Sequence, residues 1–314
     1  MLGKMAKWSS TLTFLGLAST CDSLASFTRE VHLRIRSHGG LRSKTRMQWS
    51  NDDQRSLPFL TVILPAYNEV SRIGETLEDY SSILASSNQW NGVTELLVVD
   101  DGSTDGTADF VRGFSKCTLP LSCVSLKANR GKGGALSFGI QQVLNQEGLI
   151  LIADADGSGD MKCLDDAYNK LKDLVGDDWK QPALVVGNRG FQGTSVTRSI
   201  LRWGFRTCVK VICGDLRVED TQCGFKLMTT SAANQLYADL NLPGWTHDVE
   251  VLYRAKELGI SVCNVVVGWQ DKDGSKLVQS PGGTVGVSFT MLIQVVQMRL
   301  EYAIGNWKIP GQDK

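Results

Sequence analysis

Two aspartates separated by one small residue, Asp154-Ala155-Asp156, follow directly on the apolar run Leu149–Ala153. A run of this length, rich in Leu and Ile, reads as a strand buried on both faces, and such strands belong to parallel sheets. In an extended chain residues i and i+2 point the same way, so Asp154 and Asp156 are expected to face one side together. Two carboxylates held close repel unless a cation lies between them, and hard divalent ions such as Mg²⁺ or Mn²⁺ take oxygen ligands and share themselves with substrate phosphates. The pair therefore reads as a metal–diphosphate clamp. Asp-x-Asp alone is common at solvated strand ends, so the weight comes from what surrounds it.

Polar clusters recur after other apolar runs. Pro65-Ala66-Tyr67-Asn68-Glu69 follows Phe59–Leu64, and Asp100-Asp101-Gly102 follows Leu96–Val99. Three acidic or amide-bearing strand ends on one rim make a site. Asn129-Arg130-Gly131-Lys132-Gly133-Gly134 is neither a Walker A loop nor a dinucleotide fingerprint. Glycines before a helix expose N–H groups to phosphate, and Arg130 and Lys132 add charge; a tight turn is the plainer alternative. Between Trp179 and Gly214 there are six basic residues and no acid. Arg198, Arg202, Arg206 and Lys210 recur every four residues, a positive stripe on a helix that suits lipid phosphate or membrane headgroups. The net charge of zero disfavours nucleic acid. Glu219-Asp220-Thr221 comes next, then Trp245-Thr246-His247-Asp248-Val249-Glu250, where Asp248 suits a helix N-terminus and Glu250 can pair with Arg254.

These residues need strands and helices to hold them. Helical spacing over Arg72–Ala85, capping chemistry at Ser103–Gly106 before a helix to about Phe114, a strand at Leu121–Leu126 and a helix at Gly134–Leu144 complete a β-α-β-α-β-α-β series. That series means an α/β fold with a mostly parallel, doubly wound sheet, whose ligands lie beyond the carboxyl ends of the strands. Residues 285–304 read as a C-terminal amphipathic helix that lies on a membrane or lines an acyl groove.

The 314 residues, 42% hydrophobic and 21% charged, suit a globular α/β protein with appendages. Eight cysteines without a Cys-x-x-Cys pair argue against a zinc site or a disulfide framework. Residues 1–57 differ: Lys4 and Lys7 precede a short apolar stretch and small residues, then a segment with six Arg/Lys and one acid. This has the shape of a signal peptide followed by a basic arm, similar to bipartite plastid-targeting leaders; a weak signal anchor is the alternative. The expected organisation is a leader over 1–57, a catalytic domain over 58–270 and a membrane- or acceptor-associated segment over 271–314.

The motifs LPAYNE (64–69), VVDDGSTDGT (98–107), NRGKGGA (129–135), ADADG (153–157), DTQCGFK (220–226), WTHDVE (245–250) and GSKL (274–277) resemble, in this order, inverting glycosyltransferases of family 2, and closely their dolichyl-phosphate β-glucosyltransferase branch. The resemblance implies a GT-A fold, UDP-glucose as donor, dolichyl or other polyprenyl phosphate as acceptor, Mg²⁺ or Mn²⁺ as cofactor, and a place in protein N-glycosylation. By position, it implies that Pro65, Ala66, Asn68 and Glu69 frame the uridine pocket with Asp100, and that Asp101 lies nearby. Arg130 and Lys132 stand beside the donor, Asp154 and Asp156 hold metal and diphosphate, with Asp156 counted as catalytic. Asp220 faces the acceptor, to orient or deprotonate it, and Arg189, Arg198 and Arg202 take the lipid phosphate. The implied location is the endoplasmic reticulum membrane, with the catalytic domain on its cytosolic face; the leader leaves a plastid or secretory destination as the alternative. His247 departs from the pattern, standing where an aromatic or other bulky residue is expected. A relative using GDP-mannose and a non-catalytic nucleotide-sugar or membrane-binding protein are the competing readings. A processive polysaccharide synthase is disfavoured, because Ser199-Ile200-Leu201-Arg202-Trp203 lacks the Gln of Gln-x-x-Arg-Trp.

Overall fold

The computed structural model describes residues 57–143, 147–190, 196–270 and 283–312; of 196–201 and 284 only the backbone is described. Residues 1–56 of the leader and the GSKL motif lie outside the described residues. Seven strands form one sheet in the order β3-β2-β1-β4-β6-β5-β7. They are β1 (Leu60–Ala66), β2 (Thr94–Asp100), β3 (Leu121–Ser125), β4 (Leu149–Ile152), β5 (Ala183–Asn188), β6 (Lys226–Thr229) and β7 (Ser261–Val266). The helices are α1 (Ile73–Ser86), α2 (Thr107–Arg112), α3 (Gly131–Ile140), α4 (Leu164–Val175), α5 (Val196–Cys213), α6 (Thr230–Leu236), α7 (His247–Glu257) and α8 (Gly283–Ala303).

Alternation along the strands fills two cores. Val62 and Leu64 of β1 join Leu77 and Leu84 of α1 and Leu171 of α4 on one face. Ile63, between them, joins α3, α5, α6, α7 and α8 on the other. Period-2 side-chain direction in a strand demands this split when helices cover both faces. The helical spacing expected before Ser86 is met by buried Ile73, Leu77, Tyr80 and Leu84.

Pairings β1–β2, β1–β4 and β2–β3 are parallel, so the loops leaving β1, β2, β3 and β4 share one edge. β6 runs antiparallel to both β4 and β5, with Lys226 opposite Ile152 and Val186. A reversed strand enters where its neighbours leave. The segment before β6, residues 220–225, therefore meets the ends of β4 and β5 on the same rim.

Met291, Val295 and Met298 of α8 belong to the second core, so this helix closes the same hydrophobic unit as the sheet. Its outward side carries Val285, Phe289, Ile293, Val296 and Leu300, all exposed, at helical spacing. Apolar residues thus face both ways, and a division of this helix into one apolar and one polar side is not shown. None of the described helices is long and apolar enough to cross a membrane.

Candidate active site

The loops after β1 and β2 are tied together by their own side chains. Asn68, at φ 53°, donates its backbone N–H to Ser103 Oγ (2.9 Å), and its Oδ1 accepts from Thr104 N (2.9 Å). Asn is among the few side chains that tolerate this left-handed conformation. Glu69 N donates to Thr107 Oγ1 (2.9 Å), and Asp100 Oδ1 accepts from Ser103 N (3.1 Å). Asp101 Oδ1 accepts from Arg130 N at the start of α3 (2.7 Å). Burial raises the Asp101 carboxyl above its ordinary value, while the N–H groups of Arg130 and Gly131 oppose that rise.

The glycine-rich turn serves packing more than ligand capture. Gly131 has φ +81°, which an L side chain rarely adopts, and a Cβ there would press on Pro243 O. Gly134 N donates to Pro243 O (3.0 Å) and Gly131 N to Asn129 Oδ1 (3.0 Å). Two of the N–H groups expected to await phosphate are thus already bonded within the protein. What reaches the rim is the Lys132 side chain, whose Nζ lies 2.5 Å from Asp154 Oδ1. Burial pushes this ammonium down, but Asp154 and Asp248 outweigh it and hold Lys132 above the ordinary lysine value.

β4 ends at Ile152, so Asp154 and Asp156 sit in a turn rather than on an extended strand. Strand alternation therefore does not set their directions, and the two take different partners. Asp154 meets Lys132; Asp156 Oδ1 accepts from Ser158 N and Oγ (3.1 and 2.6 Å), and its Oδ2 faces Arg72 Nη1 at 3.7 Å. Arg72 is also held by Glu69 (2.6 Å). Both aspartates stay on the rim and keep 21% and 25% of their side-chain surface. Gly224 lies against Asp154 so closely that a Cβ would collide with the carboxylate.

Arg189, just after β5, forks onto Asp220, with Nε–Oδ2 2.7 Å and Nη2–Oδ1 2.9 Å. Arg206 of α5 adds a second cation at 3.6 Å, and Trp269 stacks on Arg189 at 5.0 Å. Burial pushes Asp220 up, but the hydrogen bonds and charge of Arg189, helped by Arg206, hold its carboxyl below the usual carboxylate range. A carboxylate so engaged is a poor proton acceptor; it fixes the direction of two guanidinium groups.

Beneath the rim the acids are sealed. Lys226 Nζ pairs with Asp248 Oδ1 (2.7 Å), and His247 Nε2 lies 3.0 Å from the same oxygen. Burial raises Asp248, yet the charges of His247 and Lys226 outweigh it and depress its carboxyl far below the ordinary value. Glu250 and Arg254, both with no exposed side-chain surface, pair at 2.8 Å, the i,i+4 contact expected from their spacing.

Among the described residues no group of three or more His, Cys, Asp or Glu side chains is placed to hold a metal ion. Two partly exposed carboxylates, Asp154 and Asp156, offer the oxygen-only, incomplete donor set that suits a hard divalent ion sharing its remaining positions with phosphate and water.

Residues 61–207 match the family model described as glycosyl transferase family 2. A dolichyl-phosphate beta-glucosyltransferase of Dictyostelium discoideum is 34% identical over 80% of this chain and 77% of its own length. Proteins of the same name from Saccharomyces cerevisiae and Homo sapiens are each 32% identical, over 87% and 80% of this chain and 83% and 78% of theirs. The chain belongs to glycosyl transferase family 2. Within it, the chain groups with the dolichyl-phosphate β-glucosyltransferases. The solved glucosyl-3-phosphoglycerate synthase of Mycobacterium tuberculosis, in complex with Mn²⁺ and UDP-glucose, aligns at TM-score 0.55 with 18% identity, over 77% of this chain and 79% of that one. Mannosyl-3-phosphoglycerate synthase of Rubrobacter xylanophilus aligns at TM-score 0.53 with 16% identity, over 82% and 79%. These neighbours have the GT-A fold.

In this transferase the rim gathers Asn68, Glu69, Asp100, Asp101, Lys132, Asp154, Asp156, Arg189 and Asp220, with Pro65 and Ala66 ending β1 beneath them. Arg130 contributes its backbone N–H to Asp101. Arg202 lies partly buried on α5; the Arg198 side chain lies outside the described residues. Sequence reading missed Arg72, signalled only by its i,i+3 spacing from Glu69, and the meeting of Arg206 with Asp220. It also missed Lys226 and Trp269, which only the reversal of β6 and the β5–β7 pairing bring to this edge.

Proposed function

We propose that the protein is a metal-dependent, inverting transferase that moves glucose from UDP-glucose to dolichyl or another polyprenyl phosphate, giving the β-glucosyl phosphate used in protein N-glycosylation. The observation that carries this reading is the rim itself. Asp154 and Asp156, each balanced by a cation of the chain, share the rim with the Arg189–Asp220–Arg206 group, and Gly224 brings the segment that follows Asp220 against Asp154. A diphosphate site beside an arginine pair is what transfer between two phosphorylated substrates needs. The relatives named for glucosyl transfer to dolichyl phosphate, and a neighbour of the same fold solved with Mn²⁺ and UDP-glucose, support the choice of substrates.

In this mechanism Asn68, Glu69, Asp100 and Asp101 line the nucleoside side, on the framework of Pro65 and Ala66. Asp154 and Asp156 would hold Mg²⁺ or Mn²⁺, which supplies positive charge to the leaving diphosphate. Lys132, and Arg130 if its side chain turns inward, add to that charge. Arg189 and Arg206, with Arg198 and Arg202 further along the stripe, bind the acceptor phosphate; Asp220 orients the first two. A phosphate monoester has its second pKa near about 6, so the attacking oxygen is largely ionised at neutral pH and needs no strong base. That oxygen bonds to the anomeric carbon as the bond to the β-phosphate oxygen breaks, UDP leaves, and attack from the opposite face inverts the centre.

The protein works at the cytosolic face of the endoplasmic reticulum membrane, reached through α8 and α5. Phe289 and Leu300 on α8 and Trp203 on α5 are exposed, and Lys210 adds positive charge on α5. The test offers dolichyl phosphate with radiolabelled UDP-glucose or GDP-mannose, with Mg²⁺, Mn²⁺ or a chelator. Lipid-linked glucose, lost on chelation, is expected. Mannose transfer would replace the donor, and no transfer with either would favour a binding protein.

A further inference from the structure

Trp245 presents a large apolar side chain at the polar rim. The Trp245 side chain is 39% exposed, and Lys132 Nζ, the ammonium bound to Asp154, lies 5.9 Å from the centre of its ring. An indole left half in water at a polar rim is informative, because burial is what its surface ordinarily gains from folding. Its backbone is fixed on both sides. Pro243 O, two residues before it, accepts from Gly134 N (3.0 Å) in the donor-side turn. Thr246, the next residue, donates from Oγ1 to Gln294 Oε1 of α8 (2.5 Å). His247 then packs under Gly133 and contacts Asp248 and the Gly244 carbonyl (2.8 Å). The ring thus offers an exposed apolar face beside the cation that balances Asp154, in a turn that Thr246 ties to α8.

A ligand that touches both kinds of surface has a charged head and an apolar tail. The geometry points to Trp245 as a specificity-determining contact for the acceptor: its indole receives the isoprenoid unit next to the acceptor phosphate and distinguishes a polyprenyl phosphate from a small, soluble phosphate. This deepens the reading of the same site given above and rests on it for the identity of the acceptor. The competing occupant of an exposed indole is the sugar ring of the donor, and the two separate cleanly in kinetics.

The experiment compares wild type with Trp245→Ala, Trp245→Gln and Trp245→Phe. It measures binding of farnesyl phosphate and of UDP by calorimetry, and KM for farnesyl phosphate and for UDP-glucose in the full-length enzyme. The melting temperature of each variant identifies those that fold. Loss of an aromatic contact of this kind is expected to weaken farnesyl phosphate about tenfold in the Ala and Gln variants. KM for UDP-glucose should stay within about twofold, and Phe should restore most of the loss. Unchanged farnesyl phosphate binding in either folded polar or small variant overturns the proposal, as does a rise in the UDP-glucose KM alone. Wild type that binds farnesyl phosphate in a Trp245-dependent way but transfers no glucose would count against the reaction proposed above and leave this contact standing. Wild type that does not bind farnesyl phosphate overturns the contact itself.

Discussion

Two sets of acids, far apart in the sequence, are treated differently by the fold. Asp154 and Asp156 on the rim each keep about a fifth to a quarter of their surface and hold a cation of the chain at one side only. Asp248 and Glu250, on α7 just beneath, have almost no exposed surface and are enclosed by several donors: Lys226 and His247 for the first, Arg254, Asn241, Leu242 N and Tyr302 for the second. The difference is one of exchangeability. A carboxylate with one cationic partner and an open side can trade that partner for a ligand at small cost. One that accepts three or four hydrogen bonds in a dry site cannot, and losing a partner there strands a buried charge. Rim acids are thus suited to chemistry and buried acids to holding the rim in place. Asp220 stands between the two classes: sealed like the second, but bonded to arginines that reach the first.

The contrast is broken most decisively by substitution on the rim. Asp156→Ala should reduce glucosyl transfer about 10²–10³-fold, the usual size of a lost transition-state charge contact, while the melting temperature stays near that of wild type. Steady-state transfer and calorimetric melting measure both, and an active variant would place the chemistry elsewhere. Beneath the rim the pattern should reverse. Glu250→Ala leaves Arg254 buried and unpaired and should lower stability by about 3–5 kcal/mol in urea unfolding. A loss below about 1 kcal/mol would mean that water or relaxation replaces the pair.

Asp220 sharpens the comparison because it should act through its partners. Asp220→Asn keeps the shape but loosens Arg189 and Arg206, so KM for the acceptor phosphate should rise about tenfold with little change in that for UDP-glucose. A collapse of turnover at unchanged KM would instead make Asp220 the base. The smallest effect is in acid. The carboxyls of Asp220 and Asp248 are both depressed in the folded state. Each therefore contributes stability in full above its ordinary value of about 3.9, and loses it as pH falls through the lower folded value. Stability should hold through neutral pH and fall only below about pH 4. Asp248→Asn should be less stable at neutral pH and less sensitive to acid, as pH-dependent unfolding would read out.

Much of this was legible because it is local. β1 to β4 and the helices between them follow from apolar runs and spacing, and the strand-end clusters fall on one rim because parallel neighbours end together. Two features are not local. The entry of β6 against the direction of β4 depends on long-range pairing, and with it go Gly224 beside Asp154 and the Arg189–Asp220 fork. The apolar outer side of α8 is the other: a sequence period reports that apolar residues recur, not which of them find a core. The glycines of 131–134 promise a phosphate cradle from sequence alone. Their actual neighbour, Pro243, is more than a hundred residues away. His247 in place of an aromatic or other bulky residue is accommodated by Asp248 and the Gly244 carbonyl, contacts that only the fold brings together.

The exchange of partners at Asp154 and Asp156 is the central claim, and calorimetric titration of UDP into wild type and Asp156→Ala, each with and without Mn²⁺, tests it most directly. Wild type should bind UDP tightly only with the ion, and the variant should lose that dependence and most of the affinity while melting as wild type does. Equal binding by both proteins, indifferent to Mn²⁺, would contradict it.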